Sequence, residues 1–201
     1  MNARAHCTGA ILAGGRATRF GGAAKGLELV GGARIIDRVA AALRGACDDL
    51  IIVANDAGAA GWIPGVPVVA DVHAGVGPLG GLHSAISRAR GAVLALAWDS
   101  PFVPAALMQA LRDEAARRGA DAAVPASHSL WGFEPLCAWY GKACLPVIER
   151  HIAAGDLRAA GWQGEVNTIR VDPSPWGDPG EIFFSVNSSA DLAVANSRSG
   201  R

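Results

Sequence analysis

Thr8-Gly9-Ala10-Ile11-Leu12-Ala13, followed at once by Gly14-Gly15-Arg16-Ala17-Thr18-Arg19-Phe20-Gly21-Gly22-Ala23-Ala24-Lys25-Gly26, is the stretch on which the fold turns. The first six residues form a short apolar run of buried-strand type, and the rest is a glycine-rich loop carrying three cations. Glycines at a strand end let consecutive N–H groups turn toward an anion, and Arg16, Arg19 and Lys25 add positive charge. In an open α/β sheet, ligands bind beyond the carboxyl ends of the strands, and this loop occupies that place. Two familiar phosphate motifs are excluded. Walker A requires G-x-x-x-x-G-K-[ST], but Lys25 lies between Ala24 and Gly26. The dinucleotide fingerprint G-x-G-x-x-G with an acid about 20 residues on is also missing.

Outward from the loop, apolar runs alternate with amphipathic stretches. Ile35 to Ala46 repeats its apolar residues at helical spacing. Strands are predicted at 50–54, 66–70, 92–97, 122–125, 136–140, 168–171 and 182–186, and further helices at 79–90, 104–118, 142–154 and 189–196. The fold class that follows is α/β: a three-layer α/β/α sandwich around a mostly parallel, doubly wound sheet, with antiparallel additions late in the chain. One domain is expected over 1–201, with 197–201 as a frayed tail.

Composition narrows the function classes. The 201 residues are 51% hydrophobic and 18% charged, enough apolar material for a real core. Net charge is zero, which removes the bulk electrostatic case for nucleic acid or an anionic membrane. No apolar stretch reaches 18 residues, so no membrane partner is expected. The cysteines, Cys7, Cys47, Cys137 and Cys144, form no C-x-x-C pair, and a cytoplasmic location is the expectation. Only Lys25 and Lys142 are lysines, against 16 arginines, so a flexible point charge in the phosphate loop stands out. No Ser/His/Asp or Cys/His relay is evident.

The pattern L-A-G-G-x-x-x-R-[FM]-G-G-x-x-K-G resembles the signature of the molybdenum cofactor nucleotidyltransferases, specifically their MobA-like guanylyltransferase branch. The resemblance continues through Val69-Ala70-Asp71, Gly77-Pro78-Leu79-Gly80-Gly81, Trp98-Asp99-Ser100-Pro101-Phe102-Val103-Pro104, Glu134-Pro135-Leu136 and Val186-Asn187-Ser188-Ser189-Ala190-Asp191. These segments occur in order over residues 8 to 192. One departure is Gly31-Gly32-Ala33-Arg34, where the family usually carries G-K-P-L.

The resemblance implies a nucleotide-diphospho-sugar transferase type of fold and a Mg2+-dependent transfer of GMP from GTP to molybdopterin or molybdenum cofactor. Pyrophosphate leaves, and carrier or acceptor proteins for the cofactor are admissible partners. Leu12, Ala13, Gly14 and Gly15 are then expected to meet the nucleotide through the backbone, and Asn55 and Asp71 at strand ends. Lys25 and Arg19 would neutralise phosphate charge.

Asp99, just past the most continuous buried strand, is a hard oxygen donor suited to Mg2+, and Pro101 and Pro104 separate it from the next helix, against a capping role. Asn187 is an amide where related cytidylyltransferases carry a second acid; it is either a turn residue before Ser188-Ser189 or part of the acceptor side. His73 and His83 flank the glycine turn and read as a solvated residue and a helix-face residue. Two rivals stay open: the same chemistry with CTP or with an acceptor such as a sugar 1-phosphate, and a non-catalytic nucleotide-binding partner protein.

Overall fold

In the computed structural model, which describes residues 5–14, 25–73 and 75–200, a seven-stranded sheet runs through the centre of the molecule. Its strands are β1 (Cys7–Leu12), β4 (Asp49–Val53), β5 (Val68–Val69), β6 (Ala92–Ala97), β7 (Ala122–Pro125), β8 (Cys137–Tyr140) and β9 (Thr168–Val171), in the order β5-β4-β1-β6-β8-β7-β9. A small antiparallel hairpin, β2 (Leu29–Val30) with β3 (Ala33–Arg34), stands apart. The four pairings other than those of β8 and of the hairpin are all parallel: β1 with β4 and with β6, β4 with β5, and β7 with β9. Strand β8 pairs antiparallel with both β6 and β7. Six strands therefore deliver their carboxyl ends to one edge, and β8 begins at that edge.

Helices α1 (Ile35–Arg44), α2 (Pro78–Arg88), α3 (Ala105–Arg118), α4 (Leu145–Ala153) and α6 (Ser189–Ser199), with the single turn α5 (Pro179–Ile182), complete the chain. Two buried apolar clusters flank the sheet. One gathers Ile36, Val39 and Leu43 of α1 with Leu107 and Leu111 of α3. The other gathers Leu79, Leu82 and Ile86 of α2 with Ile148 of α4. Alternate residues of β1 divide between them, Ile11 to the first and Ala10 to the second, as a strand's two-residue period requires. This is the expected three-layer, doubly wound arrangement.

Three readings of the sequence are corrected. Residues 182–186 are not a strand. Asp178 accepts hydrogen bonds from the N–H groups of Gly180 and Glu181, so it caps the short helix α5, and Ile182 ends that helix. Helix α6 runs on to Ser199, so residues 197–199 are its last turn rather than frayed tail. The strand predicted at 66–70 contracts to Val68–Val69. Pro67 precedes it, offering its carbonyl to Ile52 N at 2.9 Å but having no N–H to donate.

Candidate active site

The carboxyl edge of the sheet opens into a cleft of about 950 Å³. Leu12, Ala13, Gly14, Lys25, Asn55, Asp71, Asp99 and Asn187 all line it, so the described members of the predicted site come together. Gly15, Arg16 and Arg19 lie outside the described residues.

At the centre stands Lys25. Its ammonium donates to Asp99 Oδ2 and, at 2.9 Å, to Asn187 Oδ1. These contacts join three remote segments: the turn after the glycine loop, the end of β6, and the extended stretch before α6. The Lys25 and Asp99 side chains are 17% and 14% exposed, so they meet in a recess open to the cleft. Val186 N donates to Asp99 O at 2.9 Å, which ties the Asn187 segment to the end of β6. Asn187 is fixed from the other side as well. Its N–H donates to Asp191 Oδ2 at 3.0 Å, and the Ser188 hydroxyl donates to the same oxygen at 2.8 Å. Those two bonds hold the Asp191 carboxyl below its ordinary pKa. Asn187 is thus the turn residue before α6 and also lines the cleft.

Asn55 and Asp71 form a second cluster. β4 and β5 are in parallel register with Val53 opposite Val69. Two residues further on, Asn55 Nδ2 donates to Asp71 Oδ2 at 2.8 Å, and Asp71 N donates to Asn55 Oδ1 at 2.9 Å. The reciprocal pair closes the sheet edge beside the first turn of α2. That helix starts at Gly77, whose φ of 77° admits glycine with little strain, and Pro78 fills its first position.

His73 and His83 do not line the cleft. Their rings lie 4.7 Å apart, and His83 is buried, with Nε2 3.4 Å from Glu149 Oε1 of α4. The helix-face reading of His83 is therefore refined: the face it occupies is turned inward.

Four residues of the cleft wall carry no role assigned from sequence. Trp62 stacks on Trp98 with 5.0 Å between ring centroids. Ser129, Trp131 and Glu134 form the opposite wall, before β8. Glu134 stood within a family-like segment, which was a usable signal; nothing local distinguishes Trp131.

A lysine–aspartate centre in a cleft along the carboxyl edge of a doubly wound sheet is the frame of a nucleotidyltransferase. Residues 9–166 match the model of the MobA-like NTP transferase domain. A molybdenum cofactor guanylyltransferase of Desulfosudis oleivorans is 34% identical over 193 residues, covering 94% of this chain and 93% of that protein. Another, from Acidiphilium cryptum, is 33% identical, with 94% of each chain covered. Among solved structures, molybdopterin-guanine dinucleotide biosynthesis protein A from Archaeoglobus fulgidus superposes with a TM-score of 0.80 at 25% identity, over 96% of this chain and 98% of that one. The chain belongs to the MobA-like molybdenum cofactor guanylyltransferase family.

Proposed function

We propose that the protein transfers GMP from GTP to the phosphate of molybdopterin or its molybdenum-bearing form, releasing pyrophosphate. The observation that carries this reading is the position of Lys25, tethered to Asp99 and Asn187 at the middle of the cleft, with walls extending to either side. A phosphate oxygen of the acceptor forms a bond to the α-phosphorus of GTP, and the bond from that phosphorus to the oxygen of pyrophosphate breaks in line. The nucleophile is already anionic, so no side-chain base is required, and catalysis is positioning plus charge neutralisation. Lys25 would leave its resting partners to meet the triphosphate.

Asp99 fits Mg2+ as a single protein carboxylate, since that ion keeps most of its waters and takes substrate phosphate as its other ligands. Mg2+ bound there would supply charge neutralisation on the phosphates. Leu12, Ala13 and Gly14 would face the base through the backbone, and Asn55 with Asp71 the ribose side. The nucleotide half 8–100 and the acceptor half 101–196 both contribute to the cleft, so we treat the chain as one working unit. No helix among the described residues is long and apolar enough to cross a membrane; a cytoplasmic site of action, and exchange with cofactor carrier proteins, belong to this reading.

Pyrophosphate release with each of the four NTPs, with and without molybdopterin, tests it. Release that requires both GTP and molybdopterin is the expected result; release with CTP, or with a sugar 1-phosphate in place of molybdopterin, would overturn it.

A further inference from the structure

The wall of the cleft beyond Asp99 is built from a braced hairpin between β7 and β8. Ala126 and Phe133 form a bridge across it, Ser127 N donates to Gly132 O at 3.1 Å, and Gly132 turns with φ 71°. The Ser129 hydroxyl donates to Phe133 O at 2.8 Å. Two side chains of this hairpin face the cleft with properties unlike the phosphate region. Trp131 presents an exposed indole, with the Arg158 guanidinium 5.7 Å from its ring centroid. Glu134 is a half-buried carboxylate without a cationic partner among the described residues. Burial raises its pKa, against the opposing pull of hydrogen bonds from Ser127 and Ser129.

A recessed carboxylate on the cleft wall with no ion-pair partner among the described residues is a costly arrangement unless something donates to it. A phosphate would be repelled. A planar group with two adjacent N–H donors would instead be bound in a fork. Both substrates of the proposed reaction carry such an edge, since guanine and pterin share the 2-amino-4-oxopyrimidine ring. Position separates them. Leu12 to Gly14 and Asn55 belong to β1 and β4, on one side of β6, whereas Glu134 leads into β8, on the other side.

We propose that Glu134 and Trp131 form the subsite for the pterin of the acceptor, the carboxylate accepting from N3–H and the 2-amino group while the indole stacks on the bicyclic ring. This assignment rests on the acceptor reading above and adds the group that recognises it. Glu134 sets specificity at the end of the acceptor remote from the reacting phosphate.

The test is fluorescence titration of the full chain with 6-carboxypterin and with 6-carboxylumazine, which has an oxo group in place of the 2-amino group. In parallel, GTP and ITP are titrated calorimetrically with Mg2+ present. The wild-type protein should prefer the pterin by about 10- to 100-fold, the loss expected when a charged acceptor goes unpaired. Glu134→Gln should bring that ratio close to one and leave the GTP-to-ITP ratio unchanged. Trp131→Leu should weaken both pteridines alike and keep their ratio. An unchanged pteridine ratio in Glu134→Gln overturns the assignment, as does a wild-type protein that does not discriminate. A collapse of the GTP-to-ITP ratio instead gives Glu134 to the donor base.

Turnover separates this failure from failure of the acceptor reading. If wild-type protein releases pyrophosphate with GTP and molybdopterin while Glu134→Gln keeps the same KM for molybdopterin, only the subsite is wrong. If the wild-type protein shows no such turnover, the acceptor reading itself falls.

Discussion

Trp98 lies across the backbone of Gly26: a β-carbon at position 26 would stand 2.4 Å from Cε3 of the indole. The ring has little freedom to yield, because Trp98 is 4% exposed and stacks on Trp62. The requirement for glycine here is therefore one of space. It follows that the ring preceding Asp99 also sets the path of the backbone that presents Lys25.

Gly26→Ala should then act on both stability and turnover. Overpacking a rigid contact costs on the order of 1–3 kcal/mol. A displaced Lys25 should lower kcat/KM for GTP by about tenfold or more, since a misplacement of roughly 1 Å suffices. Trp98→Leu in the same chain should recover part of both losses. A double-mutant cycle in urea unfolding and in pyrophosphate release checks this; simple additivity would show that residues 26 and 98 do not communicate.

Asp99→Ala and Lys25→Ala should differ in kind. Each is expected to lower kcat/KM by on the order of 100-fold, as for other groups that meet charge developing in a transition state. Only Asp99→Ala should also abolish the response to added Mg2+. Initial rates across a magnesium titration distinguish the two variants, and a folded Asp99→Ala protein of full activity would remove the metal assignment.

Gly14 offers a probe of the base. A β-carbon there would meet nothing within 4 Å, so Gly14→Val should fold normally. The bulk would instead occupy the place where the base lies against the chain. GTP affinity should fall sharply and CTP affinity little, because a site matched to guanine leaves its own polar groups unpaired with another base. Calorimetric titration of both proteins with GTP and CTP reads this out, and equal wild-type affinities would sink the guanine assignment.

The thiols give an alkaline limit. Burial pushes the pKa of Cys7 and Cys144 up from about 9 to about 12, and that of Cys47 to about 11. A raised folded-state pKa contributes stability that is intact below about pH 9 and is lost as pH climbs toward 12. The urea midpoint should hold from pH 7 to 8.5 and fall by pH 10.5. Thiol titration at pH 8 should show little fast reaction until the chain is unfolded; several rapid equivalents in native protein would contradict the burial.

Much of the sheet is legible because its strands are self-announcing. Residues 92–97 form an unbroken apolar run between Gly91 and Trp98-Asp99, and β6 has those bounds. The error at 182–186 has a local cause: Ile182-Phe183-Phe184-Ser185-Val186 reads as a strand, but Asp178-Pro179-Gly180-Glu181 carries a helix cap that outranks it. The site was legible as residue types and not as contacts. Lys25, Asp99 and Asn187 each stood out alone, yet the bonds among them span 74 and 162 positions, and no periodicity encodes such a distance. Glu134 stood inside a family-like segment, but its place on the cleft wall depends on the hairpin, which is a property of the fold.

The reversed direction of β8 has an evolutionary consequence. A parallel strand at that place would begin at the far edge, so the cleft wall opposite Asn55 and Asp71 would have to come from a crossover. With β8 reversed, residues 126–136 fold back directly over the cleft as a short hairpin held at its base by β7 and β8. Such a segment can vary in length and composition without disturbing the register of β1 and β6, beyond whose ends Lys25 and Asp99 meet. The inheritance of the transfer chemistry is thereby uncoupled from the choice of acceptor, and lineages of this fold can diverge in what they modify while keeping how they modify it.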